Sequence, residues 1–259
     1  MDSIQTAIAK ARWSLHHRGV IGTLKAAASR LASNGNPSPQ QFVHPFDAQY
    51  GVDTSGLITA VHLTTGHAHD LLGTGYCGVA PSRFNHVIQR WIASPPEHPI
   101  ATYSFIDIGC GKGRAMMLAS AQPFAEIIGV ELHPGLAQTA AANLEKWRAT
   151  QHPVSPTRVV CQDATEFEFP DTPCLLYLYN PFAEPILQLF LDHIERSFST
   201  DPRALDILYC NPRTDRLLAQ HPSFRQVWSG SVPVAEEDIA TNPSAGSNEP
   251  CSLYRRVTR

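Results

Sequence analysis

The sequence predicts an α/β protein: a seven-stranded, mostly parallel sheet with an antiparallel hairpin at one edge, over residues 101–259. A helical and irregular cap over residues 1–100 precedes it. Three observations predict this. From residue 101 onward, short apolar runs alternate with segments of helical period, the pattern of right-handed βαβ units. Cys174–Tyr179 is a wholly apolar run of six residues, as a parallel strand covered on both faces requires. A glycine-rich turn joins a strand to a helix between Phe105 and Arg114.

Taken in order, the strands are expected at 103–108, 127–131, 158–161, 174–179 and 205–210, with closing strands at 224–229 and 252–257. Helices are expected at 113–121, at 134–148 with Pro134 in its first turn, at 183–197 and at 214–220. A polar loop holding Asn242, Pro243, Ser244, Gly246, Ser247 and Asn248 joins the last two strands. Glu166 and Glu168 alternate with Phe167 and Phe169, so solvated acids over a buried aromatic pair are expected. Residues 40–100 read as irregular, rich in Gly, His and Thr, except for a helix over 82–93 with Ser82 as N-cap.

Residues 1–32 space Ile4, Ile8, Leu15, Leu24 and Leu31 for one helical face, broken near Gly19 and Gly22. Lys10, Arg12, Arg18, Lys25 and Arg30 face only Asp2 there. A basic helix packed on the body, or weakly on a membrane surface or partner, is expected, with an organelle transit peptide as the alternative. Ser33–Pro39 is a linker of turn formers.

Composition narrows the function classes. Twenty Lys plus Arg against 23 Asp plus Glu leave a net charge of −3, so no nucleic-acid partner is expected. The six-residue apolar run is far short of the ~20 residues that span a bilayer, so no transmembrane segment is expected. Cysteines at 77, 110, 161, 174, 210 and 251 form no C-x-x-C pair; they read as reduced, mostly buried thiols of a cytoplasmic protein.

The chemistry is concentrated in Asp107-Ile108-Gly109-Cys110-Gly111-Lys112-Gly113-Arg114. The dinucleotide fingerprint G-x-G-x-x-G fails, because Arg114 stands where its third glycine belongs. The P-loop fails too, since Lys112 sits between glycines with no Ser or Thr after it. What fits is D-x-G-x-G-x-G, which resembles class I S-adenosylmethionine (SAM)-dependent methyltransferases with their Rossmann-like fold. The resemblance implies SAM as cofactor, with S-adenosylhomocysteine as product. It places Gly109, Cys110, Gly111 and Gly113 beside the methionine moiety and has Asp107 orient the amino end. Glu131, followed by Leu132, would accept from the ribose hydroxyls as a bidentate, charge-assisted pair. Asp163, followed by Ala164, would accept from the adenine amine. These acids close consecutive strands, where open α/β sheets bind ligands.

The fourth strand runs into Tyr179-Asn180-Pro181-Phe182. This is similar to the [N/D]-P-P-[Y/F] motif of amine and amide N-methyltransferases, with one proline fewer. The similarity implies that Asn180 and a nearby backbone carbonyl accept a nitrogen's N–H bonds and aim its lone pair at the methyl. Pro181 would stiffen the backbone, and Phe182 or Tyr179 would face a cationic group. A plain strand-to-helix turn is the alternative, and Asn211-Pro212 one strand later repeats the pattern. Methyl transfer to a nitrogen of a small molecule or protein side chain is therefore expected; a non-catalytic SAM-binding module and an O-methyltransferase are the alternatives.

Phe46-Asp47, Tyr50-Gly51-Val52-Asp53-Thr54-Ser55-Gly56, Gly75-Tyr76 and Pro81-Ser82-Arg83-Phe84 resemble the lead-in of a bacterial methyltransferase group. That group is distantly similar to Dot1-like histone lysine methyltransferases, and its match covers nearly the whole chain. It implies that Tyr76 caps the SAM pocket. His62, His67, His69 and Asp70 form an H-x4-H-x-H-D cluster, but among 12 histidines in a loop-like stretch chance clustering is the simpler explanation. A lid or plain loop is expected there, and no metal.

Overall fold

The computed structural model describes residues 43–199, 203–212, 215–241 and 248–257. The expected basic helices and linker before residue 43, and most of the polar loop at 242–247, lie outside the described residues. None of the described helices is long and apolar enough to cross a membrane.

Seven strands form one sheet: β3 Ser104–Ile108, β4 Glu126–Glu131, β5 Thr157–Cys161, β6 Cys174–Tyr179, β7 Leu205–Cys210, β8 Phe224–Pro233 and β9 Asn248–Arg256. Their order is β5-β4-β3-β6-β7-β9-β8. The pairs from β5 through β7 are parallel, and β9 enters antiparallel between β7 and β8. Both closing strands run longer than their apolar cores, because the β8–β9 ladder continues from Ser231↔Pro250 to Pro233↔Asn248 through residues the hydrophobic pattern does not mark.

Alternation along the central strands divides the core. Phe105, Leu175, Tyr177 and Leu208 point to one face, where they meet Phe84, Val87, Trp91, Ala140 and Leu144. Ile106, Ile108, Leu176, Leu178 and Ile207 point to the other, onto Leu187, Phe190, Leu191 and Ile194. Every residue of β3 and β7 is buried, so these strands carry no alternation of polarity. Phe167 and Phe169 are buried beside exposed Glu166 and Glu168, in a short 3₁₀ turn and extended chain rather than a strand.

The region before the sheet is more ordered than its composition predicts. It contains a helix α1 (Pro45–Tyr50) and a two-stranded antiparallel sheet of β1 (Leu57–Ile58) and β2 (Tyr76–Cys77). Helix α2 spans Pro81–Ala93, so Ala80 rather than Ser82 is its N-cap. Proline at N1 brings its own fixed φ and starts the helix one residue earlier. Ser82 is freed for another role: its hydroxyl donates to Asp238 and accepts from Ala235 N–H at 3.0 Å. The remaining helices are α3 (Arg114–Ala119), α4 (Pro134–Gln151), α5 (Glu184–Ser199), α6 (Arg216–Ala219) and α7 (Glu236–Thr241).

Arg114, the first residue of α3, ties this lead-in to the sheet. Its guanidinium is buried and donates to Thr54 Oγ1 at 2.6 Å, Ser55 Oγ at 3.2 Å, Val79 O at 3.2 Å and Asp47 Oδ1 at 3.5 Å. Asp47 in turn accepts from Thr54 N and Ser55 N, both at 2.7 Å. Burial pushes the Asp47 carboxyl up, but the bonds from Ser55 and Thr54 and the Arg114 charge outweigh it and hold the acid below its ordinary range. Arg114→Ala strands this carboxylate. It is expected to lower stability by about 3 kcal/mol in urea denaturation, the cost typical of breaking a buried pair from one side.

Candidate functional site

The turn after β3 is shaped by two backbone donors, Gly109 N and Cys110 N, which share the Val130 carbonyl at 2.8 and 3.1 Å. Gly109 and Gly111 have φ of +75° and +55°, conformations in which a Cβ is strained. Close approach adds a second reason for glycine. A Cβ on Gly109 would stand 2.9 Å from Pro181 Cβ, and one on Gly111 would collide with the Tyr76 ring. Pro181 and Tyr76 therefore lie against the two glycines. Cys110 is buried within the turn, and burial holds its thiol well above the ordinary range. Gly113 caps α3 from a left-handed conformation.

Asp107 lies on β3 between Gly129 and Tyr177 in register and is buried. Burial, with the nearby Glu131 charge, pushes its pKa up to about 8. At neutral pH this carboxyl is mostly protonated until a cation approaches. Glu131, at the end of β4, is held by Gly111 N–H to Oε2 at 2.8 Å and His133 N–H to Oε1 at 2.9 Å. Burial raises its pKa, and these two donors offset part of the rise. Each oxygen keeps a second lone pair, so two hydroxyls can still be received. Leu132 is half-buried beside it.

Asp163 is more committed. Its Oδ1 accepts from Thr165 N at 2.7 Å and Thr165 Oγ1 at 2.8 Å, and its Oδ2 lies 2.5 Å from His69 Nδ1. Burial raises its pKa, but these Thr165 bonds and His69 lower it below the ordinary range overall. Ala164 starts the 3₁₀ turn that follows and packs on the core.

Beyond β6 the chain turns at Asn180, with φ +46°. The buried Asn180 Oδ1 has no hydrogen-bond partner among the described residues. The aromatic neighbours are engaged elsewhere: the Tyr179 hydroxyl donates to Glu249 Oε2 at 2.8 Å and receives Arg83 at 3.0 Å, while Phe182 packs edge-on to Phe190. Arg83 also pairs with Glu249 at 2.7 Å. The segment after the histidines pairs with this turn. Leu72 O accepts from Ala183 N at 2.7 Å, Thr74 N donates to Pro181 O at 3.1 Å, and Thr74 Oγ1 donates to Asn180 O at 2.7 Å. Tyr76 then donates to Thr54 O at 2.6 Å. Residues 69–76 thus touch Asp163, the Asn180 turn and Gly111 in sequence.

The fold therefore brings Asp107, the glycines and Glu131 to one turn, with Tyr76 and Pro181 against it. Sequence reasoning quoted Arg83 within the lead-in motif without a role and missed Glu249 and Thr74. Arg83 left a further signal: it shares an i, i+4 stripe with Val87 and Trp91, both buried. The contacts of Thr74 and Glu249 are long-range and leave none.

Residues 105–198 match the family described as "Methyltransferase domain". Among solved structures, the chain is similar to the putative methyltransferase yhhF from Escherichia coli, at 16% identity and TM-score 0.49, covering 79% of this chain and 100% of that one. It is also similar to magnesium protoporphyrin IX methyltransferase (ChlM) from Synechocystis PCC 6803 with bound SAH, at 13% identity and TM-score 0.47, covering 68% and 83%. No curated protein matches.

Two outcomes are expected of this site. The folded protein retains the Asp107 proton between its ordinary pKa of 3.8 and about 8. That contribution to stability is full below the lower value and lost as pH rises through the upper one. A cationic ligand at this carboxyl reverses the preference, so SAM binding near pH 7 is expected to release nearly one proton. Calorimetry in buffers of different ionisation enthalpy reads this, and Asp107→Asn is expected to abolish it. Glu131→Ala is expected to weaken SAM binding by roughly 1.5–3 kcal/mol. Unchanged calorimetric affinity would remove Glu131 from the site.

Proposed function

We propose that this chain, a SAM-dependent methyltransferase whose residues 105–198 carry the family's domain, transfers the methyl group to a nitrogen of a small molecule or a protein side chain. Bound SAM supplies an electrophilic methyl on a sulfonium. The chain's residues fit that cofactor: a buried acid for the ammonium, a carboxylate with two spare lone pairs, and a turn whose glycines admit close approach.

Asn180 Oδ1 carries the choice of nitrogen. It is a buried acceptor without a partner, in a turn whose next residue packs on Gly109. A buried acceptor left unpaired costs about 1–3 kcal/mol, which an amine or amide N–H recovers on binding. An N–H donated to Oδ1 fixes the nitrogen and leaves its lone pair to be aimed at the methyl within ~3–3.5 Å. The Pro181 carbonyl, a second acceptor in this motif, receives Thr74 N–H at 3.1 Å and the Thr74 hydroxyl at 3.2 Å, so a substrate N–H would have to displace one of them. Arg83 and Glu249 act on this turn through Tyr179 and are positioning residues. Transfer to oxygen would want a general base at the turn, and the imidazoles of His67 and His69 face Asp163 instead.

Asn180→Ala is expected to leave SAM affinity within a few fold and to lower kcat by about 10²-fold, since misplacing a reacting group by ~1 Å has that effect. Asn211→Ala is the control, with its effect on stability. Equal loss in both variants, or full activity in Asn180→Ala, would overturn the nitrogen reading while SAM binding stands.

A further inference from the structure

We propose that His67, His69 and Asp163 form a binding site for one divalent late transition-metal ion of the Zn²⁺ class. Their ligand atoms lie within 4.8 Å of one another. Both imidazoles present Nδ1 to the same carboxylate oxygen, Asp163 Oδ2, from 3.7 and 2.5 Å.

Several features prepare these groups as ligands. Asp163 Oδ1 is held by the Thr165 N–H and hydroxyl, which fixes the carboxylate and leaves Oδ2 outward. Such orientation by groups behind the ligands is what metal sites require. The loop bearing the histidines is itself fixed, because Asp70 accepts from Thr65 N, Thr65 Oγ1 and Gly66 N. His67 Nδ1 accepts a long bond from His69 N at 3.2 Å, so it carries a lone pair rather than a proton. An ion would displace that bond.

The donor set selects the metal. Two imidazole nitrogens and one carboxylate suit zinc and its neighbours, whereas Mg²⁺ and Ca²⁺ want oxygen cages. Bonds of about 2.0–2.2 Å place tetrahedral ligand atoms roughly 3.4 Å apart. The His67 pair, at 3.7 Å, closes slightly, and the His69 pair, at 2.5 Å, opens by about 1 Å when the ion replaces the proton between its atoms. His67 and His69 side chains are 38% and 25% exposed, leaving the outer position to water.

The site has a consequence that rests on the methyltransferase reading. If Asp163 accepts from the adenine amine, its outward oxygen is the one available, and that is the oxygen the metal takes. Metal and cofactor should therefore exclude each other.

Titration calorimetry of the full chain with Zn²⁺, without SAM, tests the site. One ion is expected to bind with a dissociation constant of about a micromolar or tighter, and Mg²⁺ to give no heat. His67→Ala and His69→Ala should each weaken Zn²⁺ by at least about tenfold, in variants whose circular dichroism shows the metal-free fold intact. Co²⁺ should give visible bands of a nitrogen and oxygen site without a thiolate charge-transfer band, which separates it from exposed Cys161. Zn²⁺ affinity unchanged in His69→Ala, or a thiolate band, overturns the proposal. Saturating S-adenosylhomocysteine should lower the apparent Zn²⁺ affinity. Histidine-dependent Zn²⁺ binding indifferent to it would keep the metal and overturn the placement of adenine at Asp163. Cofactor binding without any Zn²⁺ binding would overturn the metal and keep the methyltransferase.

Discussion

A charge taken out of water needs a partner, and this requirement fixes how the pieces around the sheet are held. Arg114 and Asp47 are both buried, and satisfying them draws Thr54, Ser55 and Val79 onto the start of α3. Arg83 on α2 is wholly buried and reaches Glu249 on β9. Asp206 on β7 receives Trp91 Nε1 at 2.7 Å and two nitrogens of Arg255 at 2.8 and 3.0 Å. Each contact joins elements far apart in sequence, and truncating one partner would leave the other desolvated and alone. Asp107 is the contrast. Its surroundings offer burial and a second acid, so it holds its proton. Acids perturbed this strongly are common in functional sites.

One short segment touches three parts of the candidate site. His69 faces Asp163, Thr74 is bonded to the Asn180 turn, and Tyr76 lies on Gly111. His69 and Tyr76 stand seven positions apart on this one segment. Asp163 and the Pro181 carbonyl both receive groups from this segment. These contacts keep both polar atoms satisfied.

The sheet was legible because its central strands are covered on both faces. Cys174–Tyr179 and Leu205–Cys210 read as strands from composition alone, and their bounds stand as expected. The glycine turn was legible because positive φ and close approach leave few alternatives at Gly109 and Gly111. Edges read poorly: β8 continues to Pro233 through Gly230, Ser231 and a lone buried Val232, held by backbone pairing that side-chain pattern does not report. Residues 43–80 read worst. Their order comes from long-range bonds such as Tyr76 to Thr54 and His44 Nε2 to Asp238 at 2.8 Å, not from local period. The histidines illustrate the same limit. Their spacing was visible, but the third member, Asp163, joins them across 94 positions.

Asn180 and Asn211 separate turn chemistry from site chemistry. Both end parallel strands, both precede proline, and both adopt left-handed φ, at +46° and +51°. Asparagine tolerates that conformation more readily than most residues, so the shared geometry needs no function to explain it. The difference lies in what surrounds each. Asn211 N–H is bonded to Pro250 O at 2.8 Å, within the hairpin's own pairing. The Asn180 turn is followed by a proline seated on Gly109, and its side-chain oxygen is buried without a donor, an orphan not found on Asn211 among the described residues. A turn needs the first property alone; the second sets Asn180 apart from Asn211.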